Sequence, residues 1–221
     1  MKGFFGYEGG FFTVMDKVGS LFWLNVLCIV CCIPVFTIGA SVTSLYYVTL
    51  KMVRDEECYI TKDFFKSFRL NFRQATIIWL IFLAVGLAFY GDYRILQNYE
   101  KWGINVTLGG IVTVVLGAMM IIYSMMLAYV FPLLSKFDNR IKNTIKNSLL
   151  LSIRHLPWTA VILLCDALVP VAIVTVILTG KGVWVIPVIC CIGFSGAAFA
   201  ASVVFVKIFD RYIEGNETPE E

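Results

Sequence analysis

One carboxylate lies deep inside an apolar run of the sequence, where a charged group is costly unless protein or water surrounds it. Asp166 occupies the middle of a stretch that is otherwise almost free of charge. A charged side chain at the centre of a bilayer costs at least about 2.5 kcal/mol, so Asp166 should face protein or water. Pro170 cannot donate a hydrogen bond to the carbonyl of Asp166, which leaves a free backbone acceptor on the same turn. Two roles stay open: a neutral acid bonded to another helix, and a group that handles a cation or substrate.

Asn25 is the other polar side chain that the sequence places deep in an apolar run. Asparagine in such a position more often forms a hydrogen bond between helices than binds a ligand. Asp166 would be a suitable partner for it. We therefore treat Asn25 and Asp166 together as a candidate polar site inside the membrane.

The other residue types that carry chemistry are sparse. Cys28, Cys31 and Cys32 have CxxC spacing, but no second pair of ligands completes a zinc site, so we interpret them as small apolar side chains. His155 is the only histidine, which excludes a multi-histidine metal centre and a conventional triad with a spare base. We predict no catalytic residue, no metal and no cofactor, and the chain is not expected to be an enzyme.

The composition indicates that lipid is the solvent for most of the chain. Hydrophobic residues make up 59% of 221 positions, charged residues make up 15%, and the mean hydropathy is +0.83. Soluble domains carry about 25% charged residues. We predict an all-α, polytopic transmembrane bundle with one domain over residues 1–213 and a disordered acidic tail over 214–221. Five apolar runs approach or exceed the roughly 20 residues that cross a bilayer: 18–38, 75–90, 106–134, 157–179 and 183–209.

The apolar character continues after the first predicted span. Pro34 interrupts this region, and apolar residues continue through Leu50. The first helix is therefore expected to bend at Pro34 or to be followed by a segment at the membrane interface.

Lysine and arginine are distributed unevenly over the connections between the spans. The basic residues of the two rich connections are Lys51, Arg54, Lys62, Lys66, Arg69 and Arg73 in the first, and Lys136, Arg140, Lys142, Lys146 and Arg154 in the second. Such connections stay in the cytoplasm, which predicts a multi-pass protein of the plasma membrane with its N-terminus outside and its C-terminus cytoplasmic. The small net charge of +3 disfavours nucleic acid as a partner.

Both basic connections have the pattern of an amphipathic helix. In the first, Lys62, Lys66, Arg69 and Arg73 share a narrow stripe, and Phe64, Phe65, Phe68 and Phe72 lie opposite. Such a helix either rests on the lipid surface or docks onto a cytoplasmic partner. The second contains Lys142, Lys146 and Arg154, and Ser148 to Arg154 partly repeats Ser67 to Arg73. An internal parallel repeat and a chance match explain this similarity equally well.

The opening of the chain resembles a known family. The residues that carry this resemblance are Lys2 to Phe5, Asn25, Pro34, Thr37 to Ser41, Leu45 to Tyr47, Phe64 to Phe68, Asn71-Phe72 and Gln74-Ala75. They resemble the YesL-like bacterial membrane proteins. The resemblance implies a link to carbohydrate uptake but no established activity, so no catalytic residue is carried over.

Two hypotheses about function follow. The first is a non-enzymatic accessory protein that contacts components of a carbohydrate ABC transporter through the two basic helices. The alternative is a small secondary transporter or channel in which Asp166 couples to a proton or cation. The oligomeric state stays open.

Overall fold

The computed structural model describes residues 10–97, 106–180, 182 and 185–217, and these ranges contain helices and no strand. The helices are α1 (Gly10–Cys32), α2 (Ile38–Val53), α3 (Ile60–Leu96), α4 (Val106–Lys136), α5 (Ile141–Arg154), α6 (Leu156–Thr179), α7 (Val185–Val188) and α8 (Phe194–Glu217). A π-helical turn, Ile189–Gly193, joins α7 to α8. The Lys2 to Phe5 part of the opening motif lies outside the described residues.

Five of the described helices are long and apolar enough to cross a bilayer, which confirms the prediction of a polytopic helical bundle. Their apolar segments are Met15–Cys32, Ile60–Leu96, Gly109–Lys136, Leu156–Thr179 and Cys191–Arg211. Large hydrophobic side chains cover the outside of these helices, and Leu164 and Leu178 on α6 are 70% and 79% exposed. Apolar surface of this extent suits lipid and not water.

Helix α2 occupies the centre of the bundle. Eleven of its 16 residues are buried, and it packs against α1, α3, α4 and α8. Thr43, Ser44 and Thr49 donate their hydroxyls to carbonyls four residues earlier in the helix, at 2.8, 2.8 and 3.1 Å. The segment after Pro34 is therefore a buried helix of its own, which corrects the expectation of a bend or an interfacial segment.

The start of α2 makes an unusually close approach to α3. A Cβ atom on Gly39 would lie 2.5 Å from the carbonyl oxygen of Ala75 and 2.7 Å from Cβ of Trp79. The indole nitrogen of Trp79 donates a hydrogen bond to the carbonyl of Val35 at 2.8 Å, which fixes the turn between α1 and α2 against α3. Glycine is needed at position 39 because no side chain fits there.

Ion pairs gather the ends of four helices at one end of the bundle. Lys17 of α1 pairs with Asp55 after α2 at 2.8 Å, and Lys51 of α2 pairs with Asp63 of α3 at 3.2 Å. Arg54 pairs with Asp210 of α8. The start of α1 and the end of α8 therefore lie at the same end. Helix α2 returns the chain beside α1, and the side of the membrane on which each terminus lies stays a prediction.

The first basic helix is continuous with a membrane span. Helix α3 has 37 residues, so it is about 55 Å long, well beyond the 16 residues predicted for the second span. Phe64 is fully buried, and Phe68 and Phe72 pack partly buried against the core. Most of the aromatic stripe thus packs against the protein itself, whereas the sequence predicted either the lipid surface or a cytoplasmic partner for this helix.

The second basic helix, α5, is a separate element. It buries Thr144, Ser148 and Leu151 and ends at Arg154, and His155 separates it from α6. Ser67 on α3 is buried like Ser148, whereas Leu70 is exposed and its counterpart Leu151 is buried. The two copies of the sequence repeat are therefore used differently in the fold.

The last helix continues beyond its predicted end. Helix α8 runs to Glu217, four residues into the segment predicted as a disordered tail from position 214. Residues 218–221 of the predicted tail lie outside the described residues.

Candidate functional site

A cavity of about 440 Å³ lies between α1, α2, α6 and α8. We call it the intramembrane cavity. Its described lining consists of Cys28, Ile29, Cys32, Ile33, Ile38, Val42, Leu45, Tyr46, Asp166, Val169, Phe194, Ala197 and Ala198. The central helix α2 and the carboxylate singled out from the sequence thus share one site.

Tyr46 holds Asp166 in this cavity. The Tyr46 hydroxyl donates a hydrogen bond to Oδ1 of Asp166 over 3.2 Å, across 120 positions of sequence. Tyr46 is buried, and its ring meets Phe205 edge-on at 5.8 Å, so the phenol has little freedom to turn away. Helix α6 passes Pro170 without ending, which keeps Asp166 at a fixed height beside α2. The arrangement is a positioned carboxylate in an apolar cavity.

Asn25 serves a different part of the structure. Its Nδ2 donates to the carbonyl of Ile189 at 3.2 Å, and its Oδ1 accepts from the backbone N–H of Ser195 at 2.9 Å. These two groups flank the π-helical turn before α8, where the regular hydrogen-bond pattern of the helix is interrupted. Asn25 therefore binds α1 to α8, whereas Asp166 has Tyr46 as its hydrogen-bonding partner. The hydrogen bonds described for Asn25 thus go to the π-helical turn and α8, and the one described for Asp166 comes from Tyr46 of α2.

The other cysteine, histidine and carboxylate side chains that the structure describes do not form a metal site. Cys28 and Cys32 line the intramembrane cavity one helical turn apart, beside apolar neighbours. Within the described residues, no three or more histidine, cysteine, aspartate or glutamate side chains are arranged to hold a metal ion. His155 lies between α5 and α6, and partial burial lowers its pKa, with the charges of Arg154 and Arg211 adding to the shift.

A second feature lies at the basic end of the bundle. Thr61, Lys62, Phe65, Lys66, Arg69 and Leu70 line an open groove of about 710 Å³ on α3, which we call the cationic groove. Lys62, Lys66 and Arg69 are exposed, and Phe65 and Leu70, which line the same groove, are 40% and 74% exposed. Apolar and cationic side chains thus share one outward face. Four further predicted contact residues are also exposed: Arg73 on α3, and Lys142, Lys146 and Arg154 on α5.

The start of α3 is fixed by a small polar cluster that the sequence did not reveal. Asp63 is buried, pairs with Lys51 and accepts the backbone N–H of Tyr59 at 3.1 Å. Burial raises the pKa of the neighbouring Cys58 thiol to about 11, and the negative charge of Asp63 contributes to this shift. Asp63 therefore points inward and leaves the outward face of α3 to its cations.

Comparison with protein families gives a match to part of the chain. Residues 21–93 match a family described as "Protein of unknown function, DUF624". Over these residues the chain is similar to an uncharacterised family. The match covers α2, Tyr46 and the cationic groove, and it ends before Asp166. A comparison with curated proteins and one with solved structures found no match.

Proposed function

We propose that this chain is a non-enzymatic, multi-pass protein of the bacterial plasma membrane that assists carbohydrate uptake by docking a cytoplasmic component of an ABC-type importer. The cationic groove carries this proposal. Three cations and the exposed Phe65 and Leu70 in the same groove suit a partner that offers both acidic and apolar groups. The link to carbohydrate rests on the resemblance described for the sequence.

The groove is well placed to hold a partner at a defined height above the membrane. Because α3 is one unbroken helix, its basic segment and its membrane span form one rigid element. The positive-inside rule places the basic end in the cytoplasm. Since Lys17 and Asp210 form their ion pairs at that end, the proposal puts both the start of α1 and the end of α8 on the cytoplasmic side.

Co-purification from cells in mild detergent tests the docking. The triple variant Lys62→Glu, Lys66→Glu and Arg69→Glu should lose the importer component that the wild type retains. The matched control, Lys62→Arg, Lys66→Arg and Arg69→Lys, keeps the charges and should retain it. The proposal fails if the wild type retains no importer component and deletion of the gene leaves sugar uptake unchanged.

The intramembrane cavity favours a second candidate function, a small transporter in which Asp166 couples to a proton or cation. A carboxylate that lines a cavity within the membrane is typical of transport pathways. Solute flux into proteoliposomes distinguishes the two functions. Absence of flux counts against transport, and normal flux in Asp166→Asn counts against the role of this residue.

A further inference from the structure

The lining of the intramembrane cavity is mostly apolar and contains a single carboxylate among its described residues. Nine of its 13 described lining residues have hydrocarbon side chains, two are cysteines, one is Tyr46 and one is Asp166. No glutamate, lysine, arginine or histidine occurs among them, so Asp166 is the only residue of the acidic or basic amino-acid types in the described lining. A cavity of 440 Å³ falls within the range of about 300–1,000 Å³ that is typical of small-molecule sites.

We infer that this cavity binds a lipophilic monovalent cation, meaning an organic molecule whose positive charge is surrounded by apolar groups. A carboxylate in apolar surroundings is stabilised by a positive charge nearby, and an anion would be repelled. The apolar lining accommodates the hydrocarbon part of the same molecule. This site lies apart from the cationic groove, and its occupancy does not depend on the proposed docking function.

The lining argues against a small inorganic cation as the occupant. Such an ion needs several oxygen ligands to replace its water shell. The described side chains that line the cavity offer the carboxylate of Asp166 and the hydroxyl of Tyr46, which already donates its hydrogen to that carboxylate. A bulky organic cation is weakly hydrated and needs no such shell. It can also rest on the aromatic faces of Tyr46 and Phe194, which line the same space.

The cavity is accessible from the outside of the bundle. Ile33 and Phe194 belong to its lining and are 76% and 41% exposed. Ile33 directly follows the candidate span Met15–Cys32, and Phe194 lies within the candidate span Cys191–Arg211. An opening beside two candidate spans suits a ligand that partitions into lipid and is both apolar and charged.

Binding of tetraphenylphosphonium to the full-length protein in nanodiscs of zwitterionic lipid tests the inference. The matched probe is tetraphenylborate, which has nearly the same shape and the opposite charge. The saturable binding that excess unlabelled probe displaces is measured by equilibrium dialysis. We expect the protein to bind the cation at least about tenfold more tightly than the anion. Equal saturable affinity for the two ions, or no saturable binding of the cation, would overturn the inference.

Variants separate the carboxylate from the cavity volume. Asp166→Asn should weaken binding of tetraphenylphosphonium by about tenfold or more, whereas Asp138→Asn, which removes an exposed carboxylate between α4 and α5, should leave it unchanged. Ala197→Phe fills the cavity and should abolish binding with the carboxylate intact. A folded Asp166→Asn protein that binds like the wild type refutes the role of the carboxylate. If that variant does not fold, the two-ion comparison and Ala197→Phe still decide the question.

Discussion

Replacing Gly39 by alanine should loosen the contact between α2 and α3. The added Cβ would lie 2.5 Å from the carbonyl oxygen of Ala75, whereas ordinary van der Waals contact begins at 3.4 Å, so the two atoms would be about 0.9 Å too close. Both neighbours closest to it belong to the backbone or Cβ of α3, so no flexible side chain can move aside. Overpacking of this kind costs about 1–3 kcal/mol. The higher helix propensity of alanine offsets at most about 1 kcal/mol of that cost.

Gly117→Ala is the matched control for this substitution. A Cβ at Gly117 meets no atom within 4 Å, so alanine there should be neutral or stabilise α4 by up to about 1 kcal/mol. Unfolding in mixed micelles with increasing dodecyl sulfate, followed by tryptophan fluorescence, measures both variants. We expect Gly39→Ala to unfold at a lower fraction of dodecyl sulfate than the wild type. If Gly39→Ala is as stable as Gly117→Ala, the close approach of α2 to α3 is wrong.

Three further results are expected. Asn25→Leu should lower the free energy of unfolding by about 1–3 kcal/mol, because it leaves buried backbone groups at the π-helical turn without a partner. The control Asn143→Leu, on the exposed face of α5, should leave the free energy of unfolding unchanged, and equal stabilities of the two variants would contradict the prediction. Cys58, with a pKa of about 11, should be alkylated slowly at pH 9, where only about 1% of it is thiolate. Asp63→Asn should lower the pKa of Cys58 and speed its alkylation, which peptide mass spectrometry measures, and unchanged rates would refute the coupling between the two residues. Lys17→Cys in a cysteine-free background should react with an impermeant maleimide only after cells are opened, and labelling of intact cells would reject a cytoplasmic start of α1.

The sequence predicts the membrane class well because hydropathy depends only on local composition. It misses the place of α2 because the serines and threonines of this helix lower its hydropathy, although they pack closely and satisfy their own hydroxyls within the helix. One signal was present: Gly39 with Thr43, and Ala40 with Ser44, repeat small residues at a spacing of four, which is typical of tightly packed membrane helices.

Local sequence patterns identify the polar residues of the candidate site but do not predict their contact partners. Asp166 could be identified from its charge in an apolar run, but its partner Tyr46 is 120 positions away, and such pairings depend on the packing of the whole bundle. Asn25 was predicted to join helices, and it does, yet the π-helical turn that it serves leaves no recognisable pattern in the sequence. The aromatic stripe of α3 predicts one buried face without telling whether lipid or protein covers it.

The central position of α2 also has a consequence for synthesis of the protein. Helix α2 leaves the ribosome early and can pair with α3 soon afterwards, but Thr49 bonds to Ser202, which is made 153 residues later, at 2.8 Å. The edge-on contact between the rings of Tyr46 and Phe205 likewise forms only after α8 has been made. One flank of the innermost helix therefore has no partner until α8 is inserted, and a chain that stops before α8 leaves that flank uncovered.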